Sequence, residues 1–165
     1  MKSVFKILTI LLLLVVQIAW GQNTENLPAS LYDFYNQDKI KTKFTINKNL
    51  NPVWLIGDFD GDQKPDYALS ISEITTGKKG ILIYHPHKKN CFIIGAGKAL
   101  SNKPSDDYSW VNAWEVSSEK NPELGVGESK RVKLKGQAIL VQKLESSSGL
   151  IYWNGKNYQW YQQGD

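Results

Sequence analysis

The chain has 165 residues, a length that favours a single domain. Hydrophobic residues make up 41% and charged residues 22% of the sequence, which excludes disordered and collagen-like classes. The formal net charge is +4, and it falls to +2 without Lys2 and Lys6 of a predicted leader, because 18 basic residues then face 16 acidic ones. This near balance argues against nucleic acid as a partner.

The N-terminus predicts export. A short basic start precedes an apolar run over 7–19, and Ala19-Trp20-Gly21 offers the small residues of a cleavage site. The run of ~13 residues is shorter than the ~20 that span a bilayer. We expect 1–21 to be a signal peptide and 22–165 to be a single β-rich domain, periplasmic or extracellular, with no membrane span after cleavage. An uncleaved anchor is the alternative.

Regular structure is predicted from about residue 28 onward. Pro28 and Ser30 precede apolar residues at three- and four-residue spacing, which predicts one short N-terminal helix. Ile40, Phe44 and Ile46 predict an extended segment. Short runs rich in β-branched and aromatic residues then predict strands at Val53–Gly57, Tyr67–Ser72, Gly80–His85, Cys91–Ile94, Tyr108–Val116, Gln137–Lys143, Gly149–Trp153 and Tyr158–Tyr161.

This pattern predicts a mainly β fold. No helical segment of 10–15 residues separates the strands, so a parallel βαβ fold has no support. We expect a compact antiparallel sheet or sandwich of about seven to nine short strands. The N-terminal helix is expected to cover one face or edge.

An acidic loop lies between the first two strong strands. The segment 58–66 reads Asp-Phe-Asp-Gly-Asp-Gln-Lys-Pro-Asp, with carboxylates at loop positions 1, 3, 5 and 9. Ca²⁺ takes six to eight oxygen ligands, and alternating Asp residues in a tight loop can turn several carboxylates toward one centre. The Lys64 carbonyl at position 7 can supply a further oxygen, and Gly61 permits a tight turn.

Charge gives an independent argument for a cation. Two like charges about 4 Å apart repel by ~1 kcal/mol in water and by ~4 kcal/mol at an effective dielectric constant of 20. Four carboxylates within nine residues would therefore strain a folded hairpin unless a cation neutralises them. Mg²⁺ suits the loop less because of its rigid octahedral geometry, and Zn²⁺ suits it less because the loop has no Cys or His. A solvated acidic hairpin that binds no metal is the alternative.

The loop is not an EF-hand, because position 12 is Leu69 rather than Glu and the flanking segments are strands. It resembles the calcium hairpin of FG-GAP/VCBS-type repeats, found in integrin α-subunit heads and many bacterial surface proteins. Their pattern is Asp-x-Asp-x-Asp-Gly-x-x-Asp, and Gln63 departs from it where the pattern has Gly. The resemblance covers about residues 53–72. It implies side-chain ligands at Asp58, Asp60, Asp62 and Asp66 and a carbonyl ligand at Lys64.

The order of segments along the whole chain resembles small exported proteins of Flavobacterium-like bacteria, which implies only the compartment and a single domain. FG-GAP propellers need several four-stranded blades of ~60 residues, and this chain could supply about two. A closed propeller is therefore excluded for the monomer.

Other features have two interpretations each. The hairpin around Asn154-Gly155-Lys156-Asn157 carries Trp153, Tyr158 and Trp160, which could bind a sugar or a protein, although cross-strand packing is favoured. His85 and His87 could ligate a transition metal, but a surface turn is favoured. The basic residues of 130–135 favour a solvated face, and Cys91, the only cysteine, favours an inert buried thiol.

The sequence contains no nucleophile elbow, phosphate loop or zinc-protease helix. We therefore expect an exported, non-enzymatic protein with Ca²⁺ as its cofactor. The ion would order a hairpin whose surface binds an unknown protein or glycan. A periplasmic inhibitor or immunity-type protein is the alternative, and a hydrolase with an unrecognised site is a further one.

Overall fold

The computed structural model describes residues 26–103 and 105–164. The predicted signal peptide, 1–21, lies outside the described residues, so its assignment stays a prediction. The described chain forms two short helices and nine strands in two antiparallel sheets.

The first sheet contains five strands. They are β1 (Phe44–Ile46), β2 (Trp54–Gly57), β3 (Asp66–Glu73), β4 (Lys79–His85) and β5 (Asn90–Gly95). The order is β1-β3-β4-β5, and β2 also pairs with β3, so β1 and β2 share one edge of that strand. In the β2–β3 pair, Trp54 lies opposite Leu69 and Gly57 lies opposite Asp66. The chain therefore leaves and re-enters the sheet at the same end, and the acidic loop 58–66 joins these two ends.

The second sheet is a four-stranded meander. It consists of β6 (Ala113–Ser117), β7 (Ala138–Lys143), β8 (Ser147–Trp153) and β9 (Tyr158–Gly164), hydrogen-bonded in chain order. The turn 154–157 closes the β8–β9 hairpin, in which Trp153 pairs with Tyr158. This hairpin is the one that the sequence predicts.

The two sheets share one hydrophobic core. It includes Leu55, Ala68, Ile81 and Ile83 from the first sheet and Trp114, Ile139, Val141 and Ile151 from the second. Alternate residues of a strand face opposite sides of the sheet. Leu69 and Leu82, which adjoin Ala68 and Ile83 along their strands, accordingly belong to a second cluster on the outer face.

Two short helices cover that outer face. Helix α1 (Ala29–Tyr35) contributes buried Leu31 and Phe34, and α2 (Asp38–Lys41) contributes buried Ile40. The Phe34 ring stacks on Tyr84 of β4 with 3.9 Å between ring centroids. None of the helices within the described ranges is long and apolar enough to cross a membrane.

The predicted mainly β fold, an antiparallel sheet or sandwich of about seven to nine strands with a short N-terminal helix, is confirmed, because the described residues form nine strands in two antiparallel sheets. The second helix was not predicted, and it contains Ile40, which the sequence placed in an extended segment. The predicted strand over 108–116 is wrong in its first half, because β6 starts only at Ala113. Asp107 explains this, since its carboxylate accepts the N–H groups of Lys79 and Ser109 and turns the chain there.

Candidate functional site

The acidic loop lies where the two sheets meet. The Asp58 N–H donates to Gln137 Oε1 at 2.8 Å, and the Gln137 N–H donates to the Asp58 carbonyl at 2.6 Å. A Cβ added at Gly136 would lie 2.4 Å from that carbonyl, so only glycine lets the two backbones approach this closely. The loop backbone is therefore fixed against the segment that enters β7.

Side-chain oxygens hold the loop's shape from within. Asp60 Oδ1 accepts the Asp62 N–H at 3.1 Å, and Asp62 Oδ1 accepts the Lys64 N–H at 2.9 Å. Asp66 Oδ2 accepts the N–H groups of Phe59 at 2.9 Å and Asp60 at 3.3 Å. These bonds are those of Asx turns, in which a side-chain oxygen takes over a backbone hydrogen bond.

Three of the predicted ligands converge. Asp58, Asp60 and Asp62 each offer an oxygen within 4.8 Å of the other two. Asp58 Oδ1 is buried and has no hydrogen-bond partner among the described residues. A buried carboxylate oxygen without a partner is costly, because it loses water and gains nothing in return. The three residues thus form a group that a cation would stabilise.

A lysine reaches this group from the neighbouring turn. Lys88 lies between β4 and β5, and its Nζ is 2.5 Å from Asp60 Oδ2 and 3.2 Å from Asp62 Oδ2. The hydrogen bond to Asp60 raises the pKa of Lys88 above its ordinary value. Burial pushes the pKa of Asp62 upward, but the hydrogen bonds from Lys88 and Lys64 outweigh it and the pKa lies below its usual range. The loop thus draws a positive charge toward Asp60 and Asp62.

His85, at the end of β4, adds a second group. Asp60, Asp66 and His85 are all buried, and each offers a ligand atom within 4.8 Å of the others. His85 Nδ1 is 3.0 Å from Asp60 Oδ2, and Nε2 is 2.7 Å from the Tyr158 hydroxyl of β9. The His85 side chain therefore connects the acidic loop to the second sheet.

The buried group is electrostatically strained. Burial raises the pKa of Asp66 to about 7, and the negative charge of Asp60 adds to that effect. Burial also lowers the pKa of His85 against the opposing attraction of Asp60. Both effects follow from placing ionisable groups where water does not reach them.

The predicted site residues are thus divided between two groups. Asp58, Asp60 and Asp62 come together, whereas Asp66 joins Asp60 and His85. Lys64 lies in the same turn with its N–H on Asp62. The role of its carbonyl as a ligand stays a prediction.

The aromatic residues of the C-terminal hairpin mostly serve the core. Tyr158 and Trp160 are buried, and Trp153 is half-buried. The Trp153 ring meets Phe92 of β5 with centroids 5.2 Å apart, and Trp160 meets Trp110 at 6.1 Å. Their rings bind the sheets together rather than form an exposed platform.

Among the other sequence features, the surface turn favoured for His85 and His87 describes His87 but is wrong for His85, which ends β4 and is 1% exposed. His87 is exposed in the turn after β4, and the basic side chains of 130–135 are exposed as well. Cys91 is half-buried, and burial raises the pKa of its thiol. A raised pKa lowers the thiolate fraction, which agrees with an inert thiol.

The sequence did not identify His85 and Lys88 as neighbours of the loop. The register of the β3–β4 pair predicts the position of His85. Tyr67 pairs with Tyr84, so His85 lies one residue beyond that pair, beside Asp66. The 86–89 turn then brings Lys88 back over the loop. A correct β3–β4 pairing in the prediction would have found His85.

Searches of protein-family models, of curated proteins and of solved structures find no significant match to this chain.

Proposed function

We propose that this chain is an exported, non-enzymatic protein that binds Ca²⁺ through its 58–66 loop. The observation that carries the proposal is the convergence of the Asp58, Asp60 and Asp62 oxygens within 4.8 Å, with Asp58 Oδ1 buried and unpartnered among the described residues. Ca²⁺ prefers an all-oxygen shell of carboxylates, carbonyls and water. These three residues offer only carboxylate oxygens, and the Lys64 carbonyl would add a further ligand.

The ion's role in this proposal is structural. The loop joins β2 to β3 and is hydrogen-bonded to Gln137, the residue just before β7 of the second sheet, so a bound ion would stabilise the junction of the two sheets. At a Ca²⁺ concentration about tenfold above Kd, binding adds about 1.4 kcal/mol to the free energy of unfolding. That amount orders a loop without determining the whole fold.

Burial supports a non-enzymatic role. Asp60, Asp66 and His85 are the groups best suited to acid–base chemistry, and their exposed fractions are 6%, 1% and 1%. A general acid or base must come within hydrogen-bonding reach of the substrate. Groups this deeply buried are better suited to holding the fold together than to meeting a substrate.

Thermal unfolding tests the calcium proposal. We expect millimolar Ca²⁺ to raise the melting temperature of chelator-treated protein and Mg²⁺ to raise it much less. Asp62→Asn should remove most of this response, because it takes one charge from the convergent group while keeping the oxygen that accepts the Lys64 N–H. Asp33→Asn makes the same charge change on exposed α1 and should respond like the wild type. Identical melting curves with chelator and with Ca²⁺ would overturn the proposal.

We further propose that the calcium-ordered surface beside the loop binds a protein or a glycan. Ile56, two residues before the loop, is 49% exposed on β2 and would offer such a partner an apolar contact. Affinity capture with calcium-loaded and chelator-treated protein tests this, and a ligand retained equally in both would contradict a role for the ion.

Mass spectrometry of exported material tests the compartment, with a mature start expected at Gln22. Recovery of a chain that starts at Met1 would contradict signal-peptide cleavage.

A further inference from the structure

His85 is a buried histidine beside the acidic loop, and it has no role in the calcium proposal. The side chain is 1% exposed, and Nδ1 has no hydrogen-bond partner among the described residues. Asp60 Oδ2 lies only 3.0 Å from Nδ1, yet no hydrogen bond joins the two atoms. The close approach of these two atoms therefore needs another explanation.

The other ring nitrogen restricts the possibilities. Nε2 lies 2.7 Å from the Tyr158 hydroxyl, so one of these two groups donates to the other. If Tyr158 donates, a proton on Nδ1 is buried without a partner. If Nε2–H donates, Nδ1 carries a lone pair that lies 3.0 Å from a carboxylate oxygen. Either way one buried polar atom of His85 stays unsatisfied by the protein alone.

A metal ion resolves this conflict. Two ligand atoms held by one ion need not point at each other, because both point at a third position. Two ligands at about 2.1 Å from an ion are about 3.0 Å apart at a right angle and about 3.4 Å apart at the tetrahedral angle, so the 3.0 Å between Nδ1 and Oδ2 suits two ligands of one ion with a narrowed or octahedral angle. Metal-bound histidines also commonly donate their other ring N–H to a fixed partner, and the Tyr158 hydroxyl is in that position.

We propose that Asp60, Asp66 and His85 form an inner binding site for a first-row transition divalent cation of the Zn²⁺ type, distinct from the calcium group. One imidazole nitrogen and carboxylate oxygens suit such ions, whereas Ca²⁺ prefers oxygen alone. Two carboxylates and a neutral imidazole carry a charge of −2, which balances a divalent ion. The two groups share only Asp60, and the inner site does not depend on the calcium proposal.

Lys88 controls the approach to this site. Its Nζ is 2.5 Å from Asp60 Oδ2, the oxygen that faces His85, and its side chain is 42% exposed. A long exposed side chain can move into solvent when an ion takes over the interaction with Asp60. The site is thus reached from the 86–89 turn.

Nitrogen NMR tests the proposal directly. Chelator-treated, ¹⁵N-labelled full-length protein is titrated with Zn²⁺ alone, and the imidazole nitrogens are followed in long-range ¹H–¹⁵N spectra. We expect a saturable shift of His85 Nδ1, a smaller effect on Nε2 and none on His87, the exposed histidine of the same turn. Because this readout uses the wild-type chain, it decides the question even if a His85 variant does not fold. A shift confined to His87, or none at all, would overturn the proposal.

Calorimetry with matched variants separates the two metal proposals. His85→Gln should weaken Zn²⁺ binding at least about tenfold, while His87→Gln should leave it unchanged within about twofold. His85→Gln should keep its Ca²⁺ affinity within about threefold, and Asp62→Asn should lose Ca²⁺ affinity while keeping Zn²⁺ affinity. Equal Zn²⁺ affinity of His85→Gln and the wild type would refute the inner site and leave the calcium proposal standing.

Discussion

Two turns of this molecule pair their free backbone N–H groups with side-chain oxygens, but one turn uses an amide and the other uses carboxyl groups. In the β8–β9 turn, the neutral Asn154 Oδ1 accepts the N–H groups of Lys156 and Asn157, both at 2.9 Å. In the 58–66 loop, the carboxyl groups of Asp60, Asp62 and Asp66 accept backbone N–H groups in the same way. One side-chain oxygen is therefore enough to accept the backbone N–H groups of such a turn, and the side chain does not have to be charged.

The negative charge of the acidic loop is not required for its side chains to accept these backbone N–H groups. Each capping carboxylate has a second oxygen, and Oδ2 of Asp60 and Asp62 is directed toward the Lys88 ammonium. The loop is also packed against the second sheet, whereas the Asn154 turn projects from the end of its hairpin with exposed residues. The acidic loop therefore has a contact with a second segment and carboxylate oxygens beyond those that cap its turns, and the Asn154 turn has neither; in our proposal the additional oxygens bind a cation.

The largest effect should come from the junction. Gly136→Ala would put a Cβ 2.4 Å from the Asp58 carbonyl and 2.7 Å from the Gly61 nitrogen, so the loop has to move. We expect the free energy of unfolding to fall by about 2–3 kcal/mol in denaturant titration, as for other overpacked sites. Calcium affinity should fall as well, since the carboxylates lose their alignment.

Gly155→Ala is the matched change in the Asn154 turn. Its Cβ meets only Lys135 Nζ at 3.9 Å, but the residue has φ +100°, where a side chain is strained. We expect a loss of about 1 kcal/mol from this strain alone, with calcium affinity unchanged. If Gly136→Ala unfolds at the wild-type midpoint, the loop is not packed against the second sheet and the comparison fails.

Calcium removal should affect one turn and not the other. With Ca²⁺ at about tenfold above Kd, hydrogen exchange of amides in 58–66 should be about tenfold slower than in chelator, because opening the loop requires release of the ion. Amides of 154–157 should exchange at the same rate in both conditions. Equal slowing of both turns would show a global effect of Ca²⁺ rather than a site in the loop.

A smaller effect on Ca²⁺ affinity is expected from Lys88, the lysine that pairs with Asp60 and Asp62. Lys88→Met removes the cation that competes for Asp60 and Asp62, so Ca²⁺ should bind up to about fivefold more tightly in calorimetry. The size is limited because the Lys88 side chain is 42% exposed and solvent screens its charge. Lys89→Met removes a charge from the same turn and should change the affinity less. Weaker binding in Lys88→Met would show that the lysine supports the ion rather than replaces it.

Local patterns were enough to predict most of the fold. The strands that carry alternating or continuous apolar residues, such as β3 and β4, were found to within one residue of their observed ends. The acidic spacing predicted one centre for Asp58, Asp60, Asp62 and Asp66; the first three come together, whereas Asp66 joins Asp60 and His85. These features depend on residues close in sequence, where spacing determines geometry.

The inner group could not be predicted in the same way. His85 meets Asp60 through the β3–β4 pairing, and it meets Tyr158 through the packing of two sheets. Tyr158 lies 73 residues from His85, and no local pattern records that contact. The failed strand at 108–112 has a similar cause, since Asp107 turns the chain by accepting the N–H of Lys79, which lies 28 residues away.

The smallest effect tests the one departure from the FG-GAP/VCBS pattern. Gln63 stands where that pattern has Gly, and it has φ 64°, in the left-handed region that glycine adopts without strain. Gln63→Gly removes this strain but adds disorder to the unfolded chain, so we expect the free energy of unfolding to rise by only about 0.5 kcal/mol. Thermal unfolding measures the change.

The same substitution at Gln37 supplies the sign control. Gln37 is also exposed, but it has φ −62° at the start of α2, where glycine relieves nothing. Gln37→Gly should therefore destabilise the protein by about 0.5–1 kcal/mol through the entropy of the unfolded chain. Opposite signs at the two positions would show that the backbone of the acidic loop prefers the glycine of the calcium-hairpin pattern. Equal losses would mean that Gln63 makes contacts that compensate its strain, and that the loop differs from that pattern in shape as well as in sequence.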